Sequence, residues 1–318
     1  MSIQNTLVKG VLRLTRKPIY ASEQSLRQRI TRARATETGA PPPDVWRACQ
    51  IEQYSWQGIA CYTMRPLNGA GVNGHLVYLH GGGYHFEMDP ASWRLLATLI
   101  NRSDVTATVP LYPLAPEHTY RDTYPRLLAL YQNLCDAHHA ERLTIMGHSA
   151  GGGMALSLVQ QAVAQGLTHP RQTFLSAPWL DMTCQNPAFR ERDRIDPMTT
   201  STGLLVAARW WAGGDDLASP ALSPINGSLT DIGSLMLVVG TDDSLYADTL
   251  LLRKRALAEG VDLEFIAKEG LPHPFILAPI PEAKPVIERF IERLKRAPVS
   301  FVGARVEAYD QELRHSDS

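Results

Sequence analysis

The sequence predicts an α/β fold in which a mostly parallel central sheet carries helices on both faces. Short, nearly continuous apolar runs recur along the chain and end in glycine, proline or polar turns, as expected for strands that are buried on both faces. Most of these runs are followed by an amphipathic stretch of helix length, and this alternation is typical of parallel sheets. In such a sheet, catalytic side chains lie at the carboxyl ends of the strands.

Composition excludes several functional classes. The 318 residues are 44% hydrophobic and 20% charged, with a formal net charge of −1. The chain is therefore long enough to bury a large core, and it lacks the basic surface charge expected of a nucleic-acid-binding protein. No run approaches the ~18 apolar residues of a membrane span, and the N-terminus lacks the pattern of a signal peptide. We expect a cytoplasmic protein with reduced cysteines and no nucleic-acid partner.

The elements follow one another along the chain. Residues 1 to about 40 have apolar side chains at helical spacing, and the three prolines Pro41–Pro43 end this helical region. Between Trp46 and Met64 the alternation predicts strands. Further strands are predicted at His75–Leu79, Val105–Leu111, Leu143–Met146, Gln172–Ser176, Leu235–Val239 and Leu263–Ala267. Helices are predicted at Ala91–Arg102, Arg121–Ala137, Gly152–Gln165, Tyr246–Glu259 and Pro281–Lys295.

Two regions do not fit the alternation of strands and helices. We expect residues 1–45 to form N-terminal cap helices and residues 46–297 to form the main domain. Within that domain, residues 181–231 separate two strands, and we expect this insertion to pack with the N-terminal helices as a lid over the strand ends. Residues 298–318 are expected to form a loosely held tail.

A serine follows one of the predicted strands in a characteristic motif. The strand Leu143–Met146 continues into the Gly-x-Ser-x-Gly segment Gly147–Gly151, and a predicted helix comes next. A serine on this sharp turn is exposed, and the two glycines prevent a steric collision across the turn. The N-terminal amides of the following helix favour developing negative charge. The motif therefore predicts Ser149 as a nucleophile.

Three glycines follow an earlier strand in the segment His80–Tyr84. Such a segment could be a flexible turn, but bare backbone N–H groups could also approach a substrate oxygen closely. We expect the amides of Gly81 and Gly82, together with that of Ala150, to form an oxyanion hole. One such donor is worth about 2.7–4 kcal/mol in the transition state. His80 is expected to orient this loop.

A general base is expected after the serine in the chain. Three of the ten histidines lie downstream of the serine: His169, His273 and His315. His169 lies too early and His315 is in the tail, whereas His273 comes just after the last predicted strand. We therefore expect His273 to be the base.

The carboxylate that orients this base is expected at the end of the strand Leu235–Val239. Asp242 and Asp243 both follow that strand, and either could fix the tautomer of the imidazole. We choose Asp243, with Asp242 as the alternative.

From about Leu76 to Arg293, the chain resembles the hormone-sensitive-lipase-like branch of the α/β-hydrolases. Besides the two glycine motifs, the segments that match this branch are Tyr112–His118, Ser223–Pro224, Gly240–Leu245 and His273–Phe275. The resemblance implies an α/β-hydrolase fold whose catalytic domain has a helical cap, and a carboxylesterase that acts on short acyl esters without a cofactor. It also implies catalytic roles for Ser149, Asp243 and His273. This chain departs from the branch at His148, where aspartate is usual, and at Pro113, where arginine is usual.

The substrate is the least constrained part of this hypothesis. Four aromatic residues could line the substrate pocket or simply form the core of the lid: Tyr84, Phe86, Trp210 and Trp211. A small-molecule ester is the expected partner, and an amide, formamide or lactone is the alternative substrate for the same serine. A ligand-binding protein without catalysis is a third hypothesis. We expect no metal site, and a homodimer could form because an open sheet leaves its edge strands exposed.

Overall fold

Eight strands form a single sheet in the computed structural model, which describes residues 1–296. They are β1 (Cys49–Trp56), β2 (Ile59–Pro66), β3 (His75–Leu79), β4 (Thr106–Leu111), β5 (Leu143–His148), β6 (Gln172–Ser176), β7 (Ser234–Gly240) and β8 (Leu263–Lys268). Their order across the sheet is β1-β2-β4-β3-β5-β6-β7-β8. The predicted tail, residues 298–318, lies outside the described residues.

The sheet is mostly parallel, which confirms the predicted fold class. β2 pairs antiparallel with β1 and with β4, and every other neighbouring pair is parallel. In the register, Leu79 of β3 lies opposite Gly147 of β5, and His148 lies opposite Ser176 of β6. The loops that follow these three strands therefore leave the sheet at the same edge.

Helices cover both faces of the sheet. They are α1 (Ile3–Thr15), α2 (Glu23–Thr36), α3 (Pro43–Ala48), α4 (Pro90–Ser103), α5 (Tyr120–His138), α6 (Ala150–Ala164), α7 (Pro187–Arg192), α8 (Ser201–Ala212), α9 (Tyr246–Ala258) and α10 (Lys284–Lys295). Alternate strand residues face opposite layers. Val77 and Ile145 pack in one cluster with α5 and α6, whereas Leu76 and Met146 pack in a second cluster with α4 and α10.

The first fifty residues differ from the prediction in two places. The helical region before the prolines is two helices, which are separated by a 3₁₀ turn over Lys17–Ala21. Trp46, predicted to begin a strand, lies instead in α3. Pro43 is the first residue of that helix, a position where its fixed φ and missing N–H favour helix formation.

The N-terminal segment contacts the insertion between β6 and β7. Gly203 of α8 lies against Tyr20, because a Cβ at this glycine would be 2.5 Å from the Tyr20 carbonyl oxygen. The Lys17 Nζ donates to the carbonyl oxygens of Asp193 and Asp196 at 2.5 and 2.6 Å. Glycine at 203 therefore allows the two segments to pack closely. Across residues 1–296, no helix has both the length and the apolar character that a bilayer crossing requires.

Candidate active site

Ser149 lies on the turn between β5 and α6, and its backbone is in an unusual conformation for a residue with a side chain. Its φ is 55° and its ψ is −125°, a strained combination that is typical of functional turns. A Cβ at Gly147 would be 2.1 Å from the Gly151 oxygen, and a Cβ at Gly151 would be 2.1 Å from the Leu79 oxygen. Glycine is therefore required on both sides of the serine.

The predicted base and acid lie beside this serine. His273 Nε2 is 2.8 Å from Ser149 Oγ, and His273 Nδ1 is 2.7 Å from Asp243 Oδ2. The other carboxylate oxygen, Asp243 Oδ1, accepts the Leu245 N–H at 2.9 Å. Both His273 and Asp243 are buried. The fold thus joins residues from three loops in one continuous line of hydrogen bonds.

The alternative acid, Asp242, points elsewhere. Its carboxylate forms an ion pair with Lys9 of α1, and its N–H donates to the Leu271 carbonyl oxygen at 3.1 Å. Within the described part of the chain, no hydrogen bond joins Asp242 to His273. The geometry therefore favours Asp243 as the partner of the imidazole.

Burial and the neighbouring charge shift the pKa values of His273 and Asp243 in opposite directions. Burial alone would lower the pKa of His273, but the neighbouring Asp243 carboxylate outweighs this effect and raises it above its ordinary value. Burial raises the pKa of Asp243, and the imidazole opposes that shift. A buried imidazole beside a carboxylate is a stronger base than a free one.

The glycine loop after β3 differs from the expectation at its first position. The Gly81 N–H donates to His148 Nε2 at 3.2 Å, so it is not free to bind a substrate oxygen. The other ring nitrogen, His148 Nδ1, is 3.0 Å from the Tyr78 hydroxyl. Burial lowers the pKa of His148 to about 4, so at neutral pH the ring is neutral and its Nε2 accepts a hydrogen bond.

Other amides near the serine are unoccupied. The N–H groups of Gly82 and Gly83 have no hydrogen-bond partner among residues 1–296. Both glycines have positive φ, 109° and 62°, which residues with side chains rarely adopt. The Ala150 N–H is the first of α6, where backbone amides lack an intrahelical partner.

His80 contacts this loop and a neighbouring tyrosine. Its Nδ1 is 2.7 Å from the Gly81 oxygen, and its ring stacks on Tyr112 with 4.2 Å between centroids. The Tyr112 hydroxyl donates to the His80 carbonyl oxygen at 2.7 Å. These contacts fit the expected orienting role of His80.

The four aromatic residues predicted near the substrate lie in different environments. Tyr84 stacks on Trp211 with 4.6 Å between ring centroids, and both are almost fully buried. The Phe86 N–H donates to the Gly82 oxygen at 2.9 Å. Trp210 is half-buried, with the Arg27 guanidinium 4.7 Å from its ring centroid. Tyr84 and Trp211 therefore belong to one packed hydrophobic core.

Sequence reasoning missed a contact between α2 and the segments that follow β3 and β4. The Arg34 guanidinium of α2 donates to the His85 and Ala115 carbonyl oxygens at 3.0 and 3.1 Å and pairs with Glu117. Nothing in the local sequence indicates this contact, because its partners are 51 and 81 residues away.

In the described residues, no group of three or more His, Cys, Asp or Glu side chains is placed to hold a metal ion.

Known proteins that are similar to this chain carry related names. A Mycobacterium tuberculosis protein that carries an acetyl-hydrolase name is 28% identical over 93% of this chain and 95% of its own. An acetyl-hydrolase of Streptomyces hygroscopicus is 29% identical over 75% of this chain and 78% of its own. A crystal structure of an esterase/lipase from an uncultured bacterium covers 93% of this chain and 98% of its own, with a TM-score of 0.79 and 28% identity.

The family model described as alpha/beta hydrolase fold matches residues 76–277, which is more than half of the chain. A crystal structure of an esterase from the bacterial hormone-sensitive lipase family has the same fold, with a TM-score of 0.79 at 24% identity over 93% of this chain and 98% of its own. These matches confirm the resemblance that the motifs indicated. The chain belongs to the α/β-hydrolase family.

Proposed function

We propose that this chain is a serine carboxylesterase that cleaves short-chain acyl esters through Ser149, His273 and Asp243. The observation that carries the proposal is the unbroken line of hydrogen bonds from Asp243 through His273 to the Ser149 hydroxyl. Relatives named as acetyl-hydrolases and an esterase support the ester as substrate.

Acylation begins with the serine hydroxyl. His273 Nε2 accepts the proton as Ser149 Oγ attacks the ester carbonyl carbon, and the Asp243 carboxylate stabilises the imidazolium that forms. The imidazolium then donates its proton to the alcohol oxygen, and the bond between that oxygen and the acyl carbon breaks. Water repeats these steps on the acyl-enzyme and releases the acid.

The oxyanion of the tetrahedral intermediate is held by the amides of Gly82, Gly83 and Ala150. This assignment replaces Gly81 with Gly83, because the Gly81 N–H already donates to His148. The hydrogen bond at Gly81 fixes the start of the loop, so the next two amides are preorganised for the substrate.

The cap consists of residues 1–45 and the insertion at 181–231. Trp211 of the insertion stacks on Tyr84 of the loop after β3, and this aromatic pair lies close to α6, because the Tyr84 hydroxyl is 3.1 Å from the position of a Cβ on Gly153. A packed layer this near the first turn after the serine leaves little room for a long acyl chain. We therefore expect the site to prefer short acyl groups.

A substrate panel tests the proposed activity. Initial rates are measured on p-nitrophenyl esters from acetyl to dodecanoyl, and on matched amides, formamides and lactones. We expect the largest kcat/KM among the shortest esters and a steep decline for longer chains. Faster turnover of an amide, formamide or lactone would instead identify the alternative substrate class, and no turnover of any panel member would contradict the proposal.

Activity is expected to rise with pH. His273 must be neutral to accept the serine proton, and its pKa is raised by Asp243. The rising limb of kcat/KM therefore has its midpoint above the ordinary histidine pKa of about 6.5. The measurement is kcat/KM on p-nitrophenyl acetate at constant ionic strength from about pH 5 to pH 9. A midpoint clearly below the ordinary value would contradict this electrostatic account.

The hydrogen bond to Gly81 is tested at His148. We expect His148→Phe to lower kcat by about 10- to 100-fold, because a lost acceptor loosens the oxyanion loop. His148→Gln keeps an acceptor at the same distance from the backbone and is expected to retain most of kcat. KM is expected to change little in either variant. Equal activity of the two variants would contradict the proposed role of this hydrogen bond.

A further inference from the structure

We propose that Asp196, in the cap insertion, is a positioning residue that holds the loop on which Asp243 meets His273 and adds a second buried carboxylate to that loop. This inference rests on the proposed function. Asp196 lies 47 residues before Asp243 in the chain, and none of the motifs points to it. The argument begins from its contacts.

The Asp196 carboxylate links the cap to the residue that follows the catalytic acid. Its Oδ2 accepts the Ser244 N–H at 2.9 Å and the Thr199 hydroxyl at 2.7 Å. The Thr199 and Ser244 hydroxyls are in turn 2.9 Å apart. Ser244 adjoins Asp243, so these bonds fix the backbone of the loop that presents the carboxylate to His273.

Its remaining contacts occupy the other carboxylate oxygen. Oδ1 accepts the N–H groups of Met198 and Thr199 at 2.6 and 3.0 Å. Both oxygens therefore accept from backbone N–H groups, which can only donate. Asp196 is fully buried, and a buried carboxylate is costly unless hydrogen bonds satisfy it. An asparagine at this position has one acceptor oxygen instead of two, so it could not accept from the backbone on both sides.

Asp196 is one of the charged groups that surround His273. Asp243 faces the imidazole from the loop after β7, Asp196 acts on it from the cap, and His148 faces it from β5. His148 is neutral near pH 7, because burial lowers its pKa to about 4. Two cations contact this loop: Lys9 of α1 is paired with Asp242, and the Arg192 guanidinium donates to the Thr241 carbonyl oxygen. Asp196 therefore adds to Asp243 in raising the pKa of His273.

The consequence is that the cap contributes to catalysis besides covering the site. When the imidazole takes the serine proton, two carboxylates stabilise the resulting positive charge instead of one. The second carboxylate belongs to a segment that is also held by Lys17 of the N-terminal region, through the Asp193 and Asp196 carbonyl oxygens. Both parts of the cap are thus connected to the base.

The test compares Asp196→Asn with a matched control, Asp193→Asn. Asp193 lies in the same insertion and its carboxylate accepts the Ser201 N–H at 3.0 Å, and within residues 1–296 it forms no hydrogen bond with residues 240–245. For each protein, kcat/KM on p-nitrophenyl acetate is measured against pH, and active sites are counted by titration with a fluorophosphonate. Rates per active site exclude losses that come only from misfolding.

We expect Asp196→Asn to lower kcat/KM per active site by about 10-fold and to move the acid midpoint down by about half a pH unit. Asp193→Asn is expected to leave the midpoint unchanged. An unshifted midpoint in Asp196→Asn would overturn the inference. If that variant does not fold, Thr199→Val replaces it, with a several-fold lower kcat expected and an unchanged kcat overturning the inference. Failure of the fluorophosphonate to label wild-type Ser149 would instead contradict the proposed function.

Discussion

Replacing Ser149 with alanine is expected to lower kcat on p-nitrophenyl acetate by at least about 10⁴-fold. The reason is that the attacking atom is removed while the base and the oxyanion amides remain. The residual rate then comes from the amides and from substrate binding alone. KM is expected to stay within a few-fold of the wild-type value, because the Ser149 hydroxyl acts in the chemical step and adds little to ester binding.

Ser157→Ala is the matched control for this substitution. Ser157 is a buried serine of α6, the helix that follows Ser149. Its hydroxyl donates to the Ala221 carbonyl oxygen at 2.9 Å and accepts from Gln161 Nε2 at 3.0 Å. The control loses these two hydrogen bonds but no nucleophile, so it is expected to lose about 1–2 kcal/mol of unfolding free energy and little kcat. Comparable turnover by Ser149→Ala and the wild type would eliminate the serine mechanism.

Asp243→Asn is expected to lower kcat by about 10³- to 10⁴-fold. An amide at this position no longer stabilises the imidazolium and lets His273 adopt the wrong tautomer, with the proton on the nitrogen that must accept from Ser149. The loss is expected in kcat more than in KM, because the carboxylate lies behind the imidazole and does not touch the substrate. Steady-state kinetics at a pH above the acid midpoint measure this loss.

Asp242→Asn is the natural comparison, since it makes the same chemical change one residue away. It breaks the ion pair with Lys9 but leaves the contact between Asp243 and His273 intact. We expect kcat within about twofold of the wild type and a small loss of stability, as for a partly exposed ion pair. A larger kcat loss in Asp242→Asn than in Asp243→Asn would reverse the assignment of the acid.

Much of the fold was predictable because it depends on local patterns. The apolar runs gave β3 and β6 at their observed bounds and the other parallel strands within a residue or two. Trp46 was placed wrongly because its apolar neighbours suit a strand as well as a helix, and Pro43 decides in favour of the helix. Position along the chain suited Asp242 and Asp243 alike, because both follow β7, and the family resemblance was what favoured Asp243.

The parts of the site that escaped prediction depend on contacts between distant segments. The Gly81 amide was expected to face the substrate, but the imidazole of His148, 67 residues further on, takes its N–H. At position 148 the chain has histidine where the family branch usually has aspartate. This departure was the one feature of the sequence that indicated a different contact. Asp196 gave no signal, because its partner Ser244 is 48 residues away. A homodimer stays a prediction, with β1 and β8 as the outermost strands of the sheet.

The most direct measurement of the central claim is the site and rate of labelling by a fluorophosphonate. This reagent reports a serine that is activated by a neighbouring base, independently of which ester the enzyme hydrolyses. We predict one adduct per chain on the peptide that contains Ser149, formed together with complete loss of esterase activity and slowed at least about 10²-fold in Asp243→Asn. An adduct on another residue, or full activity after stoichiometric labelling, would contradict the account.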